Sequence, residues 1–183
     1  VISSTNARAF ADMAQARRLV RSGIDTLIVS TIGITQESHA RFRQGQVDTA
    51  LQAVRNIVET KRASNSNSPF ISLTLMVTQY NEHEVGLARE VAESLGVNML
   101  SLKKVNPCTR DLHGQRDHVL PKDEKYSRFQ YHDHGGEPVR VQDNPCKALW
   151  HKTNLRWDGR VNACTFDFGG VSRLGEFRSQ TFR

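Results

Sequence analysis

Strand-like and helix-like segments alternate through residues 1–104, and that alternation limits the chain more than any motif in it. Val1 to Ser4 reads as a short strand ending in Thr5-Asn6, and Ala7 to Ser22 carries Phe10, Met13, Ala16 and Val20 at helical spacing. Ile24 to Ser30 is a continuous apolar run of the kind buried on both faces of a parallel sheet. A loop to Gln44 follows, and then the most regular segment, Gln46 to Lys61, in which Val47, Ala50, Leu51, Val54, Ile57 and Val58 share one helical face. After a polar Asn/Ser linker, Phe70 to Val77 reads as a strand, Glu82 to Leu95 as a helix and Val97 to Leu102 as a strand. The order β-α-β-α-β-α-β with short connections predicts an α/β fold, a parallel sheet with right-handed crossovers. Such a sheet is either open and doubly wound or part of a (β/α) barrel. In both, ligands meet the carboxyl ends of the strands. That singles out Thr5 and Asn6, Ser30 and Thr31, Thr78 and Asn81, and Lys103 and Lys104. No Gly-x-Gly-x-x-Gly follows the first strand, so nothing supports a dinucleotide site.

Beyond Lys104 the periodicity stops. Residues 105–144 are irregular and rich in His, Asp, Gly and Arg, with a short helix expected from Pro121. His113, His118, His132 and His134 lack the i, i+4 pairing of a helical metal site, and Gly135-Gly136-Glu137-Pro138 reads as a turn. The net charge of +6 comes from scattered basic residues with no aromatic-interleaved cluster, which suits a solvated surface and not a nucleic-acid partner. No apolar run approaches the length of a membrane span. Three cysteines, an odd number, make no disulfide framework and fit a reducing, cytoplasmic setting.

Two of those cysteines bracket the stretch Pro145 to Gly170. Cys146 is followed by twelve residues, Gly159, four residues and Cys164. Leu155 to Trp157 and Arg160 to Ala163 read as the arms of a hairpin, with Asp158-Gly159 as a two-residue turn whose central positions both need positive φ. Such a hairpin can bring two thiolates towards one metal centre. A zinc site or an iron–sulfur cluster wants four ligands, so two buried, reduced cysteines remain the other reading of the spacing.

This spacing, with Leu149-Trp150 after the first cysteine and Trp157-Asp158-Gly159-x-Val161 before the second, is similar to the opening of a SPASM domain. SPASM domains are the auxiliary iron–sulfur extensions of radical S-adenosylmethionine (radical SAM) enzymes. The likeness extends upstream. Thr5-Asn6, Gly23-Ile24-Asp25, Ile28 to Gly33, then His39 and Arg43 ahead of an amphipathic helix resemble the third-to-fourth strand region of that family's barrel. The family form Ser-Ile/Leu-Asp-Gly is Ser30-Thr31-Ile32-Gly33 here, without the aspartate. The resemblance implies a (β/α)6 partial TIM barrel whose strands three to six lie in residues 1–104. An irregular linker, 105–144, and a small SPASM-like hairpin region, 145–183, would follow. It implies S-adenosyl-L-methionine as cofactor, with Ser30 facing its ribose and methionine part, Arg43 meeting its carboxylate and Asn6 in the same binding set. It also implies Cys146 and Cys164 as ligands of an auxiliary 4Fe–4S cluster. The family's Cys-x3-Cys-x2-Cys loop and its later SPASM cysteines are not in this sequence. The expectation is therefore a fragment, inactive alone. The parent enzyme would cleave S-adenosylmethionine to a 5′-deoxyadenosyl radical and take hydrogen from a peptide or sugar substrate, with an electron donor as partner. The alternatives are a non-catalytic zinc module, using both cysteines and a histidine such as His151, or a metal-free α/β interaction domain.

Overall fold

A computed structural model of the chain describes residues 1–105, 119–127, 129–130, 139–140, 148–165, 167 and 169–179. The chain divides into two compact units, Val1–Arg140 and Val141–Arg183.

The first unit is built on four parallel strands, β1 (Ile2–Thr5), β2 (Thr26–Thr31), β3 (Phe70–Val77) and β4 (Met99–Lys104), hydrogen-bonded in that order. The helices between them are α1 (Met13–Arg21), α2 (Gln36–Ala40) and α3 (Val47–Ala63), and α4 (Val85–Leu95). The α/β class and the parallel sheet are thus present. The strand order never reverses, so these four strands contain no switch point of the doubly wound kind. Right-handed crossovers in a sheet that advances steadily in one direction put every helix on the same face. Packing bears this out. Leu27, Val29, Ile71 and Leu73 share one core with Leu19 and Val20 of α1, Leu51, Val54 and Ile57 of α3 and Leu95 of α4. A second cluster joins Leu75 and Val77 to Ile34, Val85 and Ala88.

The opposite face is different in character. The register sets Ser30 beside Thr74 and Thr74 beside Ser101, and Ile28 beside Ser72 and Ser72 beside Met99. Strand β2 accordingly alternates, with Leu27, Val29 and Thr31 buried and Thr26, Ile28 and Ser30 half-buried. The expectation that its apolar run is buried on both faces is corrected. Only the helix side is fully covered, because the run Thr26–Thr31 interleaves hydroxyls with its aliphatic residues.

Local chemistry explains the other departures. The helix expected over residues 7–22 breaks into a 3-10 turn, Arg8–Ala11, and α1. Asp12 makes the break: it is extended, and its carboxylate accepts the Ala14 N–H at 2.7 Å as an N-cap. Helix α3 buries all six apolar positions read from its spacing, Val47, Ala50, Leu51, Val54, Ile57 and Val58. The segment expected as one helix from Glu82 starts as a 3-10 turn, Glu82–Glu84, before α4. Later in the unit a 3-10 turn, Glu124–Tyr126, packs Tyr126 against the second core cluster, and a two-stranded antiparallel ladder joins β5 (Phe129–Gln130) to β6 (Val139–Arg140).

The second unit holds a short helix, α5 (Ala148–His151), and a three-stranded antiparallel sheet of β7 (Asn154–Leu155), β8 (Arg160–Asn162) and β9 (Arg173–Glu176). The β7–β8 turn is not the two-residue type expected from Asp158-Gly159. Arg156 pairs with Arg160, the Gly159 N–H donates to the Arg156 carbonyl at 3.0 Å, and Gly159 alone of the loop has positive φ, at 88°. That is a three-residue loop, a tight turn completed by a left-handed glycine. Asp158 instead spends its carboxylate on the Arg160 N–H and guanidinium. Among the described residues no helix is long and apolar enough to cross a membrane.

Candidate functional site

The carboxyl ends of β1 and β2 open on a cleft of about 340 Å³ lined by Asn6, Arg8, Ser30, His39, Arg43 and Gln46 among others. Its walls are set by short, specific contacts. After β1 the chain turns through Ala7, which is fully buried and sits at φ 61°, a left-handed conformation that costs a non-glycine residue about 1 kcal/mol or more. Two side chains hold the turn. Thr5 Oγ1 accepts the Ala7 N–H at 3.0 Å, and Asn6 Oδ1 accepts the Arg8 N–H at 3.3 Å. Strain of this kind persists only where the surroundings over-determine it, and here it delivers Asn6 and Arg8 to the cleft.

The second wall is the segment after β2. Thr31 is buried, and its hydroxyl donates to the Gly33 carbonyl at 2.6 Å, so this strand-end residue builds the loop. Gly33 passes directly beneath α2. A Cβ there would lie 2.1 Å from Ser38 Oγ and 2.6 Å from the His39 nitrogen. Helix α2 begins at the cap Thr35, whose hydroxyl accepts the Ser38 N–H at 3.4 Å. Buried Glu84, from the other side of β3, reaches in and accepts the Ile34 N–H at 2.8 Å, the Thr35 N–H at 3.4 Å and the Ser38 hydroxyl at 2.9 Å, along with the Thr35 hydroxyl. Burial alone would raise the Glu84 pKa, but these hydrogen bonds overcome it and hold the carboxyl below the ordinary glutamate range.

Helix α2 then presents His39, 5% exposed, with Nδ1 sealed and unpartnered. Burial first, and then the nearby charges of Arg43 and Arg8, push its pKa below the usual histidine value, which favours the neutral ring. Arg43 follows, and its Nη1 donates to the Ser30 carbonyl at 3.2 Å. The bend between α2 and Arg43 is braced on Tyr80, whose ring meets Phe42 at a 60° tilt with centroids 5.7 Å apart and lies under the Arg41 guanidinium at 4.8 Å. Because Gly33 admits no side chain, Gly33→Ala should cost about 1–3 kcal/mol by forcing α2 off its seat. Thermal unfolding followed by circular dichroism measures that loss, and it should come with a displaced His39 and Arg43.

Three residues singled out by sequence, Asn6, Ser30 and Arg43, thus meet in one cleft. Thr78 and Asn81, singled out as strand-end polar residues, do not join it. Both are fully buried, and Asn81 ties the end of β3 to the β2 loop. Lys103 and Lys104 are exposed on β4. His39 and Arg8 line the cleft although periodicity and spacing gave them no role there.

The second unit supplies a shallower groove of about 450 Å³ along half-buried Cys164, with Asn154, Arg156, Asn162 and Asp167 among its walls. Asp167 organises the loop after the cysteine. Its carboxylate accepts from the Ser172 hydroxyl at 2.6 Å, the Ser172 N–H at 2.7 Å, the Val171 N–H at 2.9 Å and Asn162 Nδ2 at 3.1 Å. The Ser172 hydroxyl foremost, and then the Ser172 and Val171 N–H groups, lower its pKa to about 2. Cys146 lies outside the described residues, as do Cys108, the four histidines between 113 and 134 and the Gly135–Pro138 turn. Among the described residues no group of three or more His, Cys, Asp or Glu side chains is placed to hold a metal ion. No protein-family model matches this chain, and no curated protein matches it.

Proposed function

We propose that this chain is part of a radical SAM enzyme with a SPASM extension, and that the cleft at the ends of β1 and β2 takes the methionine end of S-adenosylmethionine. One observation carries the reading: Asn6, Ser30 and Arg43, which the sequence resemblance assigns to that cofactor, line one cleft at the carboxyl edge of a parallel sheet. The sheet itself supports it. A strand order without reversal and helices on one face are what a wall of a partial barrel requires, and Ser30, Thr74 and Ser101 in register put hydroxyls on the other face.

The cleft fits the carboxylate end of the cofactor. Arg43 is a planar fork able to grip two oxygens, and among the described residues no carboxylate lines the cleft to compete for it. Its bond to the Ser30 carbonyl fixes the guanidinium before the ligand arrives. The half-buried Ser30 hydroxyl is free of that bond and can meet the ribose or methionine part. Asn6 has its oxygen occupied by the Arg8 N–H, so its amide nitrogen is the group left to donate. Bound beside a reduced 4Fe–4S cluster, S-adenosylmethionine supplies hydrogen-atom abstraction from the substrate, a peptide or a sugar in this reading. The described residues offer an auxiliary 4Fe–4S cluster one thiolate, Cys164, where four are wanted, and no step is assigned to that cluster.

Titration of the 183-residue chain with S-adenosylhomocysteine, a redox-inert stand-in, tests the cleft. Arg43→Ala should weaken binding about 10–100-fold, the worth of a charged hydrogen-bonded pair, and Arg43→Lys should recover part of it. Nucleoside binding that ignores Arg43, or no binding at all, would sink the reading. Iron and sulfide analysis after anaerobic reconstitution, with and without Cys146→Ala and Cys164→Ala, separates a cluster from zinc.

A further inference from the structure

Arg8 stands in the same cleft as Arg43, and the set Asn6, Ser30 and Arg43 leaves it without a task. Its guanidinium has no ion pair or hydrogen bond among the described residues. It lies against Gly45, where a Cβ would come within 3.0 Å of the guanidinium carbon. The strained Ala7 turn, tied by Thr5 and Asn6, is what brings it there. The cleft therefore gathers two permanent cations with no acidic side chain on its walls among the described residues. Like charges so placed repel, and a bound anion is the arrangement that lowers their energy. The buried imidazole of His39, whose pKa is lowered by burial first and then by both arginines, adds a polar wall to the cleft.

The form of the donors selects the anion. Phosphate sites are typically cradles of backbone N–H groups. Here the backbone donors of the turn, Ala7 and Arg8, are already taken by Thr5 Oγ1 and Asn6 Oδ1. What remains is two guanidinium forks, which grip two oxygens of a carboxylate or a phosphate alike, and the lack of a free backbone cradle in the turn favours the carboxylate. We propose that Arg8 and Arg43 together clamp a single ligand carboxylate beside His39, with Arg8 the specificity-determining arm. The inference rests on the S-adenosylmethionine reading only for the rest of the ligand. The clamp itself requires a carboxylate and nothing more.

Calorimetric titration of the 183-residue chain with four probes tests it: S-adenosylhomocysteine, the same molecule lacking its carboxylate, L-methionine and inorganic phosphate. Wild type should prefer the carboxylate form of the nucleoside by about tenfold or more, and Arg8→Gln should shrink that preference about tenfold. Arg8→Lys, which keeps the charge and loses the fork, should fall between them. Arg8 is exposed, so circular dichroism of these variants should match wild type. If neither nucleoside binds but L-methionine binds in an Arg8-dependent way, the clamp stands and the S-adenosylmethionine reading falls. A carboxylate preference untouched by Arg8→Gln overturns the proposal. So does the absence of carboxylate binding in every arm, or phosphate binding more tightly than any carboxylate with the same dependence on Arg8.

Discussion

Replacing Glu84 with alanine should destabilise the first unit by about 3–5 kcal/mol, because it strips four donors of their acceptor in a closed site. The Ile34 and Thr35 N–H groups and the Thr35 and Ser38 hydroxyls all donate to this one carboxylate, and water has little access, since Glu84 is only 2% exposed. The loss should be local first: α2 and the Gly33 turn should exchange amide hydrogens faster than the strands before the whole unit melts. Glu84 also sets an acid limit. Its carboxyl is held below the ordinary glutamate range in the folded chain. Such a group contributes its full stabilisation above the unfolded value and loses it as the pH falls through the folded one. Chemical denaturation from neutral pH down through the glutamate range should therefore show falling stability. Glu84→Gln, which does not titrate, should start less stable and lose less on the way down. Equal acid sensitivity in both proteins would show that Glu84 is not the group responsible.

Asn81→Leu should cost a similar amount, about 3–5 kcal/mol, for a related reason. Asn81 is fully buried, and its amide makes complementary bonds in three directions. Its oxygen accepts the Thr78 N–H at 2.7 Å, and its nitrogen donates to the Ile32 carbonyl at 2.6 Å and the Met76 carbonyl at 2.9 Å. Leucine is close in size and leaves all three backbone groups unpaired away from water. Asn81→Asp is the sharper control. It keeps the acceptor for Thr78 but turns oxygens towards the two carbonyls, so it should be nearly as damaging. If Asn81→Asp unfolds at the same denaturant concentration as wild type, the carbonyl bonds carry little weight.

Both residues show where local reading reached its limit. Helix α3 was legible because six apolar positions repeat along one face, a signal contained within the helix itself. The same holds for the strands, whose order follows from alternation and handedness. Helix α2 was missed because it is five residues long and has little apolar periodicity. Its anchor, Glu84, comes from nearly fifty positions downstream. The Thr35 cap was the one local sign of it. Asp12 breaks its segment because it caps α1, although the apolar stripe from Phe10 to Val20 runs straight across it. At the site, strand-end position led to Asn6 and Ser30, and the family resemblance to Arg43. Arg8 and Asn81 show the converse. An arginine with no motif enters the cleft because of a backbone turn, and a polar strand-end residue turns out to be structural because three partners meet it. Neither outcome is encoded in any short window of residues.

The two units also differ in what light reports about them. The chain's two tryptophans, Trp150 and Trp157, both fall in the second unit, and they are 81% and 90% exposed. Indole emission is therefore that of solvated rings in residues 141–183. Loss of the Glu84 or Asn81 brackets should appear in far-ultraviolet dichroism. An iron–sulfur chromophore assembled at Cys164 would absorb across the indole emission band and dim both rings. Fluorescence quenching during reconstitution would then give a direct optical record of whether the hairpin unit takes up a cluster.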